Sequence, residues 1–393
     1  MTDQTAPGSG LDALLDAAKS LAPNISARSG EIETARRLPA DLAADLAAAG
    51  FFRMVTPASL GGLQLPPADI VRAVGALSEL NASIGWCTMI GATTALNAAY
   101  MDHDTAAEIY ADPMAITGGV FAPMGKAVPE NDGYRVTGRW QWASGSANCT
   151  WLCGGAVIIE DGEMLRLPSG APDARMMVFP ANEAELHDTW QVAGLKGTGS
   201  GDISVDGIFV PKARSVSLVT DTPVATGALY AFPAFGLLAL GVCAVAMGNA
   251  RGAIEDIKAL ARAKKSQGSS KTLSEKQSTQ IEISKLEASH RSARAYLFDE
   301  IDKTWQVAQD TGEIPLARRA DLRLACTHMT RTSADIARIA YDIGGGAALF
   351  LDNSLQRRFR DAHAMTQHVA TAPATYEQTG RIILGLDTFG GMI

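Results

Sequence analysis

The sequence predicts an α+β chain in which helices come first, a compact β segment follows, and long helices return. Three observations predict it. Leu11, Leu14, Leu15, Ala18 and Leu21 open the chain at helical spacing. Tyr134, Val136, Gly138, Trp140 and Trp142 alternate with Arg135, Thr137, Arg139 and Gln141, the period-2 signature of a strand with one polar face. The helical period then resumes near Ala225 and lasts to the end.

After the first helix, Pro39 near a start, Leu42 and Leu46 on one face, and Gly50 past the end punctuate a second. Ile70, Val74 and Leu77 predict a third, and 86–100 is rich in small residues, which suits a fully buried helix. The pattern changes near Pro113. Beyond the strand through Trp142, residues 156–159, 176–179 and 203–210 read as strands. Turns such as Asn131-Asp132-Gly133 and Pro168-Ser169-Gly170 separate them. Leu286, Ala293, Leu297 and Ile301 share a stripe, and a further helix over 320–343 closes at Gly344. No internal repeat is present.

Composition narrows the function. Of 393 residues, 47% are hydrophobic and 19% charged, enough for a large core and too apolar for disorder. The formal net charge is −8 and the basic residues are scattered, which argues against a nucleic-acid surface. Five cysteines, Cys87, Cys149, Cys153, Cys243 and Cys326, sit in mostly apolar surroundings and read as buried free thiols of a reducing compartment. The opening residues are polar and lack an apolar signal core, so export is not expected and a cytoplasmic location is. No charge occurs between Asp221 and Arg251, but Pro233, Gly236, Gly241 and Gly248 interrupt that stretch. A buried bundle helix is expected there, and no membrane partner.

Several motifs are excluded by context. The Gly-rich run over 195–200 lacks the spacing of a phosphate loop and enters a strand instead of a helix. No Gly-x-Ser-x-Gly nucleophile elbow occurs. His363 and His368 are five apart, off the shared face of an i, i+4 metal pair, so no metal is expected. His103, His187, His290 and His328 read as surface or capping residues.

The stretch WQVAGLKGTGSGDISVDGIFVP over 190–211 follows the strand ending Trp140-Gln-Trp-Ala-Ser-Gly145. An aromatic residue leads into a Gly-rich turn, an alternating strand and a Val-Pro exit. That order resembles the middle domain of the acyl-CoA dehydrogenase superfamily, and within it the flavin-dependent monooxygenase branch, the oxygenase components of two-component hydroxylases. The resemblance implies an N-terminal helical domain over 1–114, a middle β-barrel domain over 115–222 and a C-terminal four-helix bundle over 223–393.

It also implies a site. Phe121, Trp142 and Ser144 would lie against the flavin ring, with the Ser144 hydroxyl at N5, where a group that can donate and accept is suited. Taken locally, Trp142 could equally be core and Ser144 the start of a turn. In Asp342-Ile-Gly-Gly-Gly346 the family's Gly-Gly step, here Gly345 and Gly346, would approach the flavin phosphate of a neighbouring subunit, which glycine permits. A helix C-cap explains Gly344 equally well. Arg360-Asp361 reads as structural.

The segment after Arg360-Asp361 separates the branches. Where many dehydrogenases carry Tyr-Glu-Gly-Thr with a catalytic Glu, this chain has His368, Val369, Ala370 and Thr371. The alternative base position is also empty, since 230–252 holds no carboxylate. Gln367-His368 instead matches the monooxygenase branch. A histidine there could take a proton from a phenol or amine, or hold and orient it. A structural helix end is the local alternative for His368.

The implied enzyme uses reduced FMN or FAD from a separate reductase and O2, through a flavin C4a-hydroperoxide, to oxygenate a small aromatic, heteroatom or amine substrate. A homotetramer is expected. The rivals are an acyl-CoA dehydrogenase or related oxidase, and a non-catalytic flavin-binding protein.

Overall fold

A computed structural model describes residues 9–265 and 268–388. The polar opening over 1–8, read above for export, lies outside the described residues. The chain begins with α1 (Ser9–Ala27), α2 (Ser29–Ala35), α3 (Ala40–Ala48), α4 (Pro67–Leu80), α5 (Ala82–Thr94) and α6 (His103–Tyr110). Asn81 caps α5, its side chain accepting from the amides of Ser83 at 3.0 Å and Ile84 at 3.4 Å. The buried small-residue stretch is helical only through Thr94; 95–100 tightens into a 3-10 turn.

Eight strands follow: β1 (Thr117–Glu130), β2 (Gly133–Trp140), β3 (Trp151–Glu160), β4 (Glu163–Met164), β5 (Ala174–Pro180), β6 (Glu185–His187), β7 (Asp202–Pro211) and β8 (Ser215–Val216). They form one mixed sheet in the order β6-β7-β2-β1-β3-β5-β8, with β4 on β3 and β1 parallel to β3. The end strands β6 and β8 are not paired to each other, so the described sheet is open where a closed barrel was expected.

Trp140 anchors this sheet. Its indole is fully buried and donates to the Gly155 carbonyl at 2.7 Å. The ring fills a slot between strands that glycine alone leaves open: a Cβ on Gly154 would lie 2.3 Å from it and one on Gly125 2.5 Å. The strand ends there, two residues before the expected Trp142, because the backbone turns out of the extended region.

The remaining helices are α7 (Ala228–Ala231), α8 (Ala234–Ala263), α9 (Gln277–Asp310), α10 (Leu316–Gly344), α11 (Ser354–Met365) and α12 (Ala374–Ile383). By length and composition α8 could cross a membrane, yet 89% of its most apolar stretch is buried inside the protein. Its apolar surface is covered by α4, α5 and α10. One core runs from Leu14 and Leu42 through Val74 and Ile84 to Val245, Leu297 and Met329, so the first and last helical segments pack as one body. His290, expected as a surface or capping residue, is buried on α9. Its ring meets the Met247 carbonyl at 3.2 Å, which satisfies a polar group inside the α8–α9 interface.

Candidate active site

Beyond Trp140 the chain bends sharply. Trp142 has φ +68° and is 58% exposed. Left-handed backbone at a bulky residue costs of order 1–3 kcal/mol and persists only when its surroundings hold it. Here they do: the Ser144 amide donates to the Trp142 carbonyl at 2.9 Å, Ala143 donates to Gly201, and Gly145 donates to Thr198. The core tryptophan is Trp140; Trp142 is projected outward.

Ser144 follows and is 5% exposed. The Trp86 indole N–H, from α5, donates to its hydroxyl at 3.0 Å. The same hydroxyl shares a 2.6 Å hydrogen bond with Ser200, which shares another of 2.6 Å with Thr198. Thr198 donates to the Leu195 carbonyl at 2.8 Å. The Gly-rich run is thus a scaffold for two hydroxyls, set against the end of β2.

The Trp86 ring also packs against His368 in a T-shaped arrangement, with ring centroids 5.6 Å apart at 73°. His368 heads a short 3-10 turn between α11 and α12, and its Nδ1 accepts from the Ala370 amide at 3.2 Å. The neutral ring therefore carries its proton on Nε2. Burial, with the nearby Arg323 cation second, lowers the imidazole pKa to about 4. Arg323 is buried on α10 and donates to the Ala370 carbonyl at 3.1 Å and the Phe235 carbonyl at 3.4 Å. The Phe235 ring packs edge-on to Phe121 at 5.2 Å. Phe121, Ser144 and His368 thereby join one network through residues of α5, α8 and α10. Val369, which the sequence resemblance above sets where many dehydrogenases would carry their base, is 74% exposed.

Arg360 and Asp361 dock the loop behind this network. Asp361 Oδ1 accepts from the Leu195 amide at 2.6 Å, and Arg360 donates to the Ala193 carbonyl and pairs with Glu33. Gly194 lies so close to α11 that a Cβ would sit 2.2 Å from the Arg360 carbonyl oxygen. Burial raises the Asp361 carboxyl pKa to about 6. Trp190 also donates to the Leu195 carbonyl, at 3.0 Å, as does the Thr198 amide at 3.2 Å.

Gly345 and Gly346 stand elsewhere, exposed at the C-terminal end of α10. Gly345 has φ +53° and caps the helix, while Lys264 donates to the Gly344 carbonyl at 2.7 Å. Leu349, Phe350 and Leu351 follow at 68%, 67% and 80% exposure, an apolar surface facing out of the single chain.

Sequence reading missed Trp86, Thr198, Ser200, Phe235 and Arg323. Arg323 had a signal: a cation flanked by Leu322, Ala325 and Cys326 on the buried stripe of a helix. Trp86 was read only as part of a buried helix. A cavity of about 10 Å³ beneath Ser144 and Gly145, lined by Phe52, Cys87 and Ile116, has room for at most one water molecule. It is no place for a ring system. Among the described residues, no group of three His, Cys, Asp or Glu side chains is placed to hold a metal ion.

Helices around an open mixed sheet and an outward tryptophan beside a buried serine define an acyl-CoA dehydrogenase-like flavin oxidoreductase. Known proteins agree. Residues 240–373 match the acyl-CoA dehydrogenase C-terminal domain family. A pigment production hydroxylase of a Rhodococcus species is 31% identical over 396 residues, covering 95% of this chain and 96% of that one. An indole-3-acetate monooxygenase of Pseudomonas putida is 28% identical over 394 residues, 99% of this chain and 96% of that one. The crystal structure of the HsaA monooxygenase from Mycobacterium tuberculosis superposes with a TM-score of 0.88 at 27% identity, covering 98% of this chain and 100% of that one. The chain belongs to the flavin-dependent monooxygenase branch of the acyl-CoA dehydrogenase superfamily, as a two-component enzyme.

Proposed function

We propose that the protein oxygenates a small aromatic substrate, at carbon or at a ring heteroatom or amine, using reduced FMN or FAD delivered by a separate reductase. The flavin would supply the electrons and, with O2, the C4a-hydroperoxide that donates the oxygen atom. The residues present fit such a group. An exposed indole, Trp142, stands beside a hydroxyl, Ser144, and Phe121 offers a second ring in the same network. In this reading Ser144 meets the flavin at N5 and His368 faces the substrate.

The observation that carries the reading is Trp86, whose indole N–H holds Ser144 while its ring packs against His368. One rigid side chain fixes the distance between the cofactor side and the substrate side. His368, with its proton on Nε2, acts as a donor that orients a phenolic or carbonyl oxygen; its low pKa leaves it a poor proton acceptor. Arg323 holds the His368 turn in place through the Ala370 carbonyl. The exposed Gly345–Gly346 step reaches the flavin phosphate region of a neighbouring subunit, and Leu349–Leu351 helps bury that contact in a homotetramer. The five cysteines are all free, in keeping with the cytoplasm.

The test is anaerobic protein charged with reduced FMN or FAD, mixed with O2 and a panel of phenols, indoles, aryl sulfides and arylamines. The expected result is an oxygenated aromatic product that scales with flavin oxidised. Acyl-CoA-dependent reduction of a dye acceptor by the FAD-loaded protein would overturn the reading in favour of a dehydrogenase.

A further inference from the structure

A hydroxyl donates once, and the two ends of the Ser144–Ser200–Thr198 chain fix the direction in which each one does so. The Trp86 indole N–H can only donate and the Leu195 carbonyl can only accept. Thr198 gives its proton to Leu195 at 2.8 Å, so its 2.6 Å contact with Ser200 has to be donated by Ser200. With that proton committed, the 2.6 Å contact between Ser200 and Ser144 has to be donated by Ser144. The Ser144 proton thus points inward. One lone pair of its oxygen holds the Trp86 N–H, and the other is left to accept.

We propose that this buried hydroxyl chain presets Ser144 as a hydrogen-bond acceptor and thereby selects reduced flavin, whose N5 carries a hydrogen, over oxidised flavin, whose N5 is a bare acceptor. The proposal rests on the reading that places Ser144 at flavin N5. To serve oxidised flavin the whole chain has to reverse: Ser144 donates outward, Ser200 to Ser144, and Thr198 to Ser200. The Leu195 carbonyl then loses the Thr198 hydroxyl and keeps its bonds from the Trp190 indole and the Thr198 amide. The reversal loses one hydrogen bond. Ser144, Ser200 and Thr198 are 5%, 3% and 1% exposed, so solvent does not readily replace it. One such bond corresponds to a preference of roughly three- to tenfold. An enzyme that receives reduced flavin from another protein and has to release it oxidised gains from that sign.

The experiment is anaerobic titration of the full chain with FMN and with FAD, each oxidised and dithionite-reduced, to obtain the ratio of the oxidised to the reduced Kd. Ser144→Ala gives the ratio set by the rest of the site, and the wild-type ratio is expected roughly three- to tenfold above it. Thr198→Val removes the inner acceptor while nearly preserving shape, so Ser200 donates to Ser144 and Ser144 donates outward. Its ratio is expected to fall below that of Ser144→Ala, and Thr198→Ser is expected to restore the wild-type value. The midpoint potential of the bound flavin follows, by ~30 mV for each tenfold change in the ratio of a two-electron couple. If Thr198→Val folds poorly, Ser200→Ala carries the same sign, because Ser144 again loses its inner acceptor. A wild-type ratio in these inner variants, with Ser144→Ala altered, would overturn the relay and leave Ser144 at the flavin. Unchanged Kd values in Ser144→Ala would show that Ser144 does not face the flavin, and both readings would fall.

Discussion

His368 illustrates how a residue's surroundings choose among its possible roles. Unperturbed, an imidazole titrates near pH 6.5 and could serve as a base. In the fold its Nδ1 is occupied by the Ala370 amide and its pKa is lowered to about 4. The folded protein therefore keeps the ring neutral from pH 8 down toward 4, and the kcat/KM profile should show no acidic limb near 6.5 from this residue. A limb there that vanishes in His368→Gln would reinstate the base role. The unfolded chain binds a proton at His368 between pH 6.5 and 4 that the folded one does not, so stability is lost as pH falls through that window. His368→Ala should lower product yield by less than the ~10²–10⁴-fold that loss of a general base costs, with excess hydrogen peroxide released. His368→Gln, which keeps a donor near Nε2, should recover much of the coupling. Ser144 and His368 could be singled out as candidates because each stands at a recognisable place along the chain. Trp86, Ser200 and Arg323 were not, because their importance lies in contacts: Trp86 and Ser144 are 58 residues apart and Ser144 and Ser200 56.

At the scale of elements, alternation found β2 but carried it to Trp142. Periodicity describes where side chains would point if the backbone stayed extended, and it is blind to a residue held at positive φ. The same blindness affected 95–100, where apolar residues continue but the helix tightens. The loop before β7 and helix α11 are likewise joined by groups that no local pattern couples. Asp361 holds the Leu195 amide, and Leu195 in turn terminates the hydroxyl chain. Removing that acceptor by Asp361→Ala should destabilise the fold by about 1–3 kcal/mol in urea unfolding, the cost of a buried unpaired amide. Asp361→Asn retains an accepting oxygen and removes a carboxyl that burial disfavours as an anion, so it should cost less. Equal losses in the two variants would mean that the charge, and not the hydrogen bond, secures the loop.

For the whole molecule, the order of helices, β segment and helices was readable from periodicity alone. That the first and last helical segments share a core was not, since Val74 and Val245 meet only in three dimensions. What the single chain leaves uncovered bears on assembly. Leu349, Phe350 and Leu351 lie just beyond two exposed glycines, and Ile383 and Leu384 are 65% and 74% exposed. Apolar surface of this kind marks an interface, and a closed symmetric oligomer is the usual way to bury it. Light scattering should show a tetramer, and Phe350→Glu should shift it toward smaller species. Gly346→Ala separates assembly from cofactor binding. A Cβ there meets nothing within 4 Å in the single chain, so melting temperature should hardly change. If the Gly345–Gly346 backbone approaches a neighbour's flavin, the added methyl intrudes on it and flavin affinity should drop while the tetramer persists. A stable monomer that binds reduced flavin as tightly as the assembled protein would contradict a shared site, because the glycine step would then have no flavin to approach.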